Sequence, residues 1–81
     1  MYFTYVLQSQ TTGKHYTGHT SNLEERLKSH NSGNSPYTKG RGPWKLLYFE
    51  NYETRSEAMK RESFFKTGAG RNFLMKILSS D

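Results

Sequence analysis

Cysteine is absent from this chain of 81 residues, and so is any long hydrophobic run. Without cysteine the protein can have no disulfide, no thiolate nucleophile and no cysteine-based zinc site. Without an apolar stretch of about 20 residues, no segment can span a membrane as a helix. The start of the chain, Met1–Tyr5, also lacks the basic region and apolar stretch of a signal peptide. We therefore expect a single cytoplasmic domain over residues 1–81, with no membrane partner.

Acidic residues are few relative to basic ones. Twelve Lys and Arg residues oppose seven Asp and Glu, which gives a formal net charge of +5 and a pI of about 9.6. Such an excess on a small body favours a polyanionic partner, nucleic acid before any other. The six tyrosines, five phenylalanines and one tryptophan are expected to supply most of the core of so short a chain.

Hydrophobic periodicity and turn residues divide the chain into three strands and three helices. The strands are expected at residues 2–9, 15–18 and 44–50, and the helices at 22–31, 54–67 and 72–78, with a loop at 32–43. Gly68 and Gly70 are expected to end the second helix. The order β-β-α-β-α-α predicts an α/β (α+β) fold, in which helices flank a small three-stranded antiparallel sheet.

Capping residues indicate where the helices begin. Ser21 with Glu24, and Thr54 with Glu57, have the spacing of capping boxes, so Ser21 and Thr54 are the predicted N-caps. Asn72 is the predicted cap of the third helix.

The first helix carries polar residues on its apolar stripe. At 100° per residue, Leu23, Leu27 and His30 lie on one face, and Arg26 lies at its edge. His30 therefore replaces a core residue in the helix face that meets the sheet. The alternative is a histidine satisfied at the helix C-terminus beside an arginine whose stem covers apolar surface.

The second helix has a carboxylate in a similar position. Ala58, Met59 and Phe65 define its predicted buried face, and Glu62 falls between them. A carboxylate there is costly unless it is paired or bound to a metal. A salt bridge to one of the many Lys or Arg side chains is the alternative to metal binding.

The first two strands form a predicted hairpin around a two-residue turn at Thr12-Gly13. In that register Tyr5 and Tyr16 share a face, and Gly18 leaves space there for a close approach. The alternative is that both tyrosines are ordinary aromatic core.

These residues lie in motifs that resemble those of the GIY-YIG nuclease family. Phe3-Thr4-Tyr5 resembles its first half-motif, with Phe3-Thr4 in place of Gly-Ile, and Tyr16-Thr17-Gly18 resembles its second. The stretches 23–31, 36–46 and 56–62 resemble its first helix, its loop with the third strand, and the helix carrying its metal-binding glutamate. The similarity covers nearly the whole chain. It indicates a small stand-alone, single-domain member, similar to the nuclease domain of the bacterial excision-repair nuclease.

The resemblance implies hydrolysis of DNA phosphodiester bonds with one Mg²⁺ or Mn²⁺, for which Glu62 would be the only carboxylate ligand. Arg26 would hold the scissile phosphate. Tyr5 would be the general base and Tyr16 would orient water or phosphate, or these two roles are exchanged. The catalytic residues implied in this way are Tyr5, Tyr16, Arg26, His30, Tyr37, Glu62 and Asn72.

A phenol has an ordinary pKa near 10, so a tyrosine base needs help at neutral pH. A nearby metal ion, Arg26 and an accepting His30 would each lower the pKa of Tyr5. We expect Tyr5, Tyr16, Arg26, His30 and Glu62 to converge on one concave face that is open to solvent.

The basic loop is the expected nucleic-acid contact. Lys39, Arg41 and Lys45 would hold backbone phosphates without reading sequence. DNA is the expected partner, although the sequence does not distinguish it from RNA, and a role in repair or recombination follows from the resemblance. We expect a monomer whose specificity comes from its loops, a protein partner or the shape of the substrate. The alternatives are a nucleic-acid-binding module with little turnover and a purely structural or protein-interaction domain.

Overall fold

The structure, a computed structural model, describes residues 1–33 and 38–79. Its elements are β1 (Tyr2–Ser9), β2 (His15–Thr20), α1 (Leu23–Asn31), β3 (Trp44–Tyr52), α2 (Arg55–Phe65) and α3 (Gly68–Ser79). Together they confirm the predicted α+β fold and its element order. Within the described ranges, no helix is long and apolar enough to cross a membrane.

Helices cover both faces of the sheet. The three antiparallel strands lie in the order β2-β1-β3. On one face Leu23 and Leu27 of α1 pack against a buried cluster of Tyr5, Leu7 and Trp44. Because the central strand β1 is buried on both sides, its sequence lacks the alternation of a half-exposed strand.

On the opposite face, Val6 packs against Phe65 of α2 and Leu74 of α3. The helix α2 buries Ala58 and Phe65 as predicted, but the side chain of Met59 is 48% exposed. Met59 follows Ala58 directly, so it is turned 100° around the helix and away from the sheet. The predicted burial of Met59 was therefore wrong.

The hairpin register differs from the predicted one by two residues. Tyr5 pairs with Gly18, and the loop is longer than a two-residue turn because the amide of Ser9 donates to the carbonyl of Lys14 at 2.9 Å. Since side chains alternate with a period of two, a shift of two residues leaves each one on its predicted face. Tyr5 and Tyr16 therefore still share a face.

Helix α1 begins with Asn22 as its N-cap, whereas Ser21 was predicted. The Asn22 Oδ1 accepts from the backbone amide of Glu25 at 3.1 Å. The Asn22 side chain also donates to the Glu25 carboxylate at 3.2 Å, so the reciprocal pairing is displaced by one residue from the predicted pair. The capping box of Thr54 at the start of α2 is confirmed.

Helix α3 begins at Gly68, four residues before the predicted start. Thr67 Oγ1 accepts from the amide of Gly70 at 3.1 Å, so Asn72 lies inside the helix and does not cap it. Gly70 is needed for close packing, because a Cβ there would lie 1.8 Å from the carbonyl oxygen of Phe64. The glycines therefore permit a tight corner between two helices. The prediction that they end α2 was wrong, because α2 ends at Phe65 with Lys66 as its C-cap, and both glycines lie in α3.

Arg61 fixes α2 to its neighbours. Its guanidinium donates to the Glu50 carboxylate of β3 at 2.8 and 3.2 Å. The hydroxyls of Tyr48 and Tyr52 donate to the same carboxylate at 2.5 Å. Burial raises the pKa of Glu50, but these hydrogen bonds outweigh it and hold the pKa below its usual value. The Arg61 guanidinium also lies 4.7–4.8 Å from the ring centroids of Phe64, Phe65 and Phe73.

Candidate active site

The site is built around a close contact between Tyr5 and Gly18. The Tyr5 side chain is buried, and a Cβ at position 18 would lie 2.7 Å from its hydroxyl oxygen and 3.2 Å from the ring of Tyr16. No side chain fits between the two phenols, so glycine is the residue that this approach requires. The sequence-based expectation of space at Gly18 is confirmed.

His30 connects the end of α1 to the loop before β3. Its Nε2 lies 2.9 Å from the Tyr5 hydroxyl, and its Nδ1 lies 2.8 Å from Thr38 Oγ1. The Trp44 indole in turn donates to the Thr38 carbonyl at 3.1 Å. Burial, together with the charge of Arg26, lowers the pKa of His30 to about 4. The imidazole is therefore neutral near pH 7, with one nitrogen donating and the other accepting.

Arg26 interacts with both phenols. A hydrogen bond to Tyr5 is the main cause that raises the pKa of Arg26, and Tyr16 contributes in the same direction. Burial raises the pKa of Tyr5 to about 12, although the hydrogen bond from Arg26 acts in the opposite sense. Arg26 therefore lowers the pKa of Tyr5 as expected from the sequence, but burial outweighs it, so that the pKa is raised overall.

Glu62 is held by two neighbouring side chains. His19 Nδ1 lies 2.5 Å from its Oε1, and Lys66 Nζ lies 2.6 Å from its Oε2. The Glu62 side chain is 19% exposed, and that of Lys66 is 57% exposed. Burial raises the pKa of Glu62, but the hydrogen bonds from Lys66 and His19 outweigh it and hold the pKa below its usual value. Glu62 therefore forms an ion pair with Lys66, as the salt-bridge alternative expects.

Glu62 is a candidate ligand for a hard divalent ion, and its two oxygens are contacted by His19 and Lys66, respectively. Among residues 1–33 and 38–79, no group of three or more His, Cys, Asp or Glu side chains could hold a metal. An ion there would keep most of its ligands as water or phosphate oxygens, which Mg²⁺ does readily in proteins. The exposed Lys66 is the group that such an ion would displace from Oε2.

The rings of Tyr5, Tyr16 and His30 lie together beside Arg26, whereas Glu62 stands on α2, which packs on the opposite face of the sheet. The rings of Tyr5 and Tyr16 have centroids 6.3 Å apart, and those of Tyr16 and His30 are 4.9 Å apart. The charge of Glu62 contributes to the pKa of Tyr5. However, Tyr5 and His30 are each only 1% exposed, so the expectation that all five are open to solvent was wrong. Both are covered because they occupy core positions between α1 and the sheet.

One predicted catalytic residue, Asn72, lies elsewhere. Asn72 is exposed on α3 and lines a separate groove of about 760 Å³, together with Gln8 and Leu47. Tyr37 lies outside the described residues. Their catalytic roles remain predictions.

The predicted nucleic-acid contacts are all at the surface. Lys39, Arg41 and Lys45 are exposed, and the Arg41 carbonyl accepts from the hydroxyl of Ser9 at 2.5 Å. This contact joins the basic loop to the end of the β1–β2 hairpin. The DNA contacts of these three side chains also remain predictions.

Sequence reasoning missed three residues of the site, namely His19, Thr38 and Lys66. His19 could have been found from strand alternation, since the residue after Gly18 points to the opposite face, which α2 covers. Lys66 stands four residues after Glu62, a spacing that allows an ion pair on a helix. Thr38 follows a stretch of loop whose course has no periodic signal.

Comparison with known proteins gives this arrangement a family context. Residues 1–75 match the GIY-YIG catalytic domain family. A UPF0213 protein of Clostridium perfringens (strain 13 / Type A) is 44% identical over 81 residues, which cover 99% of this chain and 85% of that protein. A UPF0213 protein of Halobacterium salinarum is 40% identical over 63 residues, covering 76% of this chain and 80% of that protein.

A solved structure has the same fold. The solution NMR structure of a UPF0213 protein from Bacillus halodurans superposes with a TM-score of 0.56 and 32% sequence identity. The superposition covers 95% of this chain and 85% of the Bacillus halodurans chain.

Proposed function

Because this chain belongs to the GIY-YIG catalytic domain family, a family of nuclease-type domains, we propose that it is a metal-dependent endonuclease domain acting on DNA. The main support is the close packing of the rings of Tyr5, Tyr16 and His30, whose centroids lie 4.9–6.3 Å apart, beside Arg26, which hydrogen-bonds to Tyr5. With Glu62, these are side chains of the kinds that phosphodiester hydrolysis needs. A role on branched or flapped DNA in repair or recombination is part of the same proposal.

Arg26 is the group that would hold the scissile phosphate. A guanidinium keeps its charge at all relevant pH values and offers several donors to phosphate oxygens. Its contacts with Tyr5 and Tyr16 would put the phosphate beside the two phenols. The charge of Arg26 would also stabilise the extra negative charge that develops in the transition state.

The difference in burial favours exchanging the roles of the two tyrosines. Tyr5 is closed to solvent, whereas Tyr16 is partly exposed, so Tyr16 is the phenol that can reach a water molecule. Tyr16, as the general base, would take a proton from water as the water oxygen bonds to phosphorus. The bond to the leaving sugar oxygen breaks, and that oxygen takes up a proton from solvent. Tyr5 and His30 would then be positioning residues that hold Tyr16 and Arg26 in place.

Glu62 would hold one Mg²⁺ or Mn²⁺ through Oε2, while His19 keeps its hydrogen bond to Oε1. When bound, the ion would offset phosphate charge and lower the pKa of nearby water and phenol groups. A hydrogen-bonded second oxygen would keep the carboxylate in one orientation, as is common around metal ligands.

A nuclease assay on nicked, flapped, branched, single-stranded and duplex DNA, with Mg²⁺ or Mn²⁺, tests this proposal. Glu62→Gln should reduce cleavage by at least about 100-fold, because the ion loses its carboxylate. Glu24→Gln is the matched control, since Glu24 is exposed on α1 and forms an ion pair with the exposed Lys28 at 3.8 Å. Equal cleavage by wild type and Glu62→Gln would refute the assigned role.

The second candidate is a nucleic-acid-binding module without turnover. Its support is the contact of Lys66 with Glu62 Oε2, which fills the oxygen that a metal ion would need. This alternative predicts DNA binding that EDTA does not change and no cleavage product from any substrate in the panel.

A further inference from the structure

A basic cleft continues from the candidate active site. It has a volume of about 540 Å³ and lies between the edge strand β2 and the corner of α2 and α3. Tyr16, Lys66, Arg71 and His15 are among its lining residues, and no carboxylate lines it within the part of the chain that the structure describes. The three predicted DNA contacts, Lys39, Arg41 and Lys45, do not line this cleft.

We infer that this cleft is a second phosphate-binding subsite, which holds the nucleic-acid strand beyond the scissile phosphate through Lys66 and Arg71. The inference rests on the proposed function. The cleft and the catalytic centre are continuous, because Tyr16 belongs to both and Lys66 Nζ lies 2.6 Å from Glu62 Oε2. A strand whose phosphate meets Arg26 could therefore pass Tyr16 and enter the cleft.

Arg71 is the cation of this subsite that is available whether or not a metal ion is bound. It lies in the first turn of α3 and is exposed. Across residues 1–33 and 38–79, its guanidinium has no ion-pair or hydrogen-bond partner, so its full charge is available to a phosphate. Contacts of this kind add affinity through release of counterions and do not depend on base sequence.

Lys66 is shared between the subsite and Glu62. Its side chain is 57% exposed, and an ion pair of that exposure contributes little stability. A divalent ion on Glu62 would displace the ammonium, which can then turn on its flexible stem into the cleft. Loading of the metal would in this way add one phosphate contact to the strand.

The role of Arg71 can be tested without metal. Binding of a fluorescein-labelled flapped DNA is measured by fluorescence anisotropy at several salt concentrations in the presence of EDTA. Arg71→Gln should weaken binding several-fold and reduce the slope of log K against log salt by about 0.9. Lys76→Gln is the matched control, because it removes the same charge from the exposed surface of the same helix. An effect of Arg71→Gln no larger than that of Lys76→Gln would overturn the subsite.

The shared role of Lys66 needs two measurements on Lys66→Gln. The affinity for Mn²⁺, followed by electron paramagnetic resonance without DNA, should rise by up to about fivefold because a competitor is removed. With Ca²⁺ as the divalent ion, Lys66→Gln should bind DNA more weakly than wild type, whereas in EDTA the two proteins should bind equally. A gel checks that the DNA probe stays intact. Unchanged Mn²⁺ affinity, or an equal loss of DNA binding in both conditions, would contradict the exchange of Lys66 between Glu62 and phosphate.

These results separate the subsite from the nuclease assignment. Weaker binding by Arg71→Gln, in a protein that cleaves nothing, would support the subsite and reject the nuclease. Cleavage that Glu62→Gln abolishes, with binding insensitive to Arg71→Gln, would support the nuclease and reject the subsite. Absence of any DNA binding by wild type would reject both.

Discussion

Mild acid should destabilise this protein through His30. Burial lowers the pKa of His30 from 6.5 to about 4. Below pH 6.5, His30 is therefore protonated in the unfolded chain but stays neutral in the folded protein until the pH approaches about 4. Stability therefore falls as pH decreases through this window. With those two pKa values, the expected loss between about pH 7.5 and about pH 5 is ~2 kcal/mol. Below about pH 5 the carboxylates begin to titrate, and they add their own contributions to the pH dependence of stability.

Urea unfolding followed by circular dichroism at several pH values measures this loss. His30→Gln should be less stable throughout, because Gln cannot bridge Tyr5 and Thr38 in the same way, but its stability should change far less over this pH range. His15→Gln is the control, because His15 is exposed on β2 and its removal should leave the wild-type dependence intact. Wild-type stability that stays flat to about pH 5, or a dependence that survives in His30→Gln, would refute this account of a buried neutral imidazole.

Other substitutions test the packing and the predicted interface. Gly18→Ala should displace Tyr5, cost about 2 kcal/mol in urea unfolding and reduce cleavage, because its Cβ would lie 2.7 Å from the Tyr5 hydroxyl. Gly70→Ala should cost about 3 kcal/mol or more by the same assay, since the obstructing atom is backbone, at 1.8 Å; equal stability of either variant would contradict the geometry. Arg61→Met should cost about 2 kcal/mol by leaving the largely buried carboxylate of Glu50 without its cation, and Arg61→Met with Glu50→Gln should recover part of that loss. Lys39→Ala with Arg41→Ala should reduce the salt slope of DNA binding by about two contacts; an unchanged slope would place the contact elsewhere.

The sequence was sufficient to predict the elements and the faces of the sheet. The apolar stripe of α1 predicted that Leu23, Leu27 and His30 point inward, and all three pack there. The hairpin register was wrong by two residues, yet Tyr5 and Tyr16 kept their common face because an even shift preserves alternation. The sheet face on which a side chain lies follows from the alternating pattern of the strand. The register of the hairpin depends instead on a few hydrogen bonds in the loop, which produce no periodic pattern in the sequence.

The parts of the site that could not be predicted depend on tertiary contacts. Glycine at position 70 suggests a helix end from sequence alone, but here it serves a close approach to Phe64. The partners of Glu62 likewise come from two different elements, His19 from β2 and Lys66 from the end of α2. The contact between His19 and Glu62 depends on how α2 lies on the sheet, and the spacing of residues along the sequence does not predict that placement.

The buried and exposed parts of the site differ in the physical task that each can perform. Tyr5 and His30 are closed to solvent and hydrogen-bonded, so they stabilise the core and resist ionisation. Arg26 and Tyr16 contact that buried pair on one side and remain partly exposed on the other. In the proposed function, a phosphate would reach the outer pair without opening the core, while the inner pair keeps its geometry fixed. Since the inner pair stays neutral near pH 7, titration of His30 should affect stability first and catalysis only through the positions of Tyr16 and Arg26.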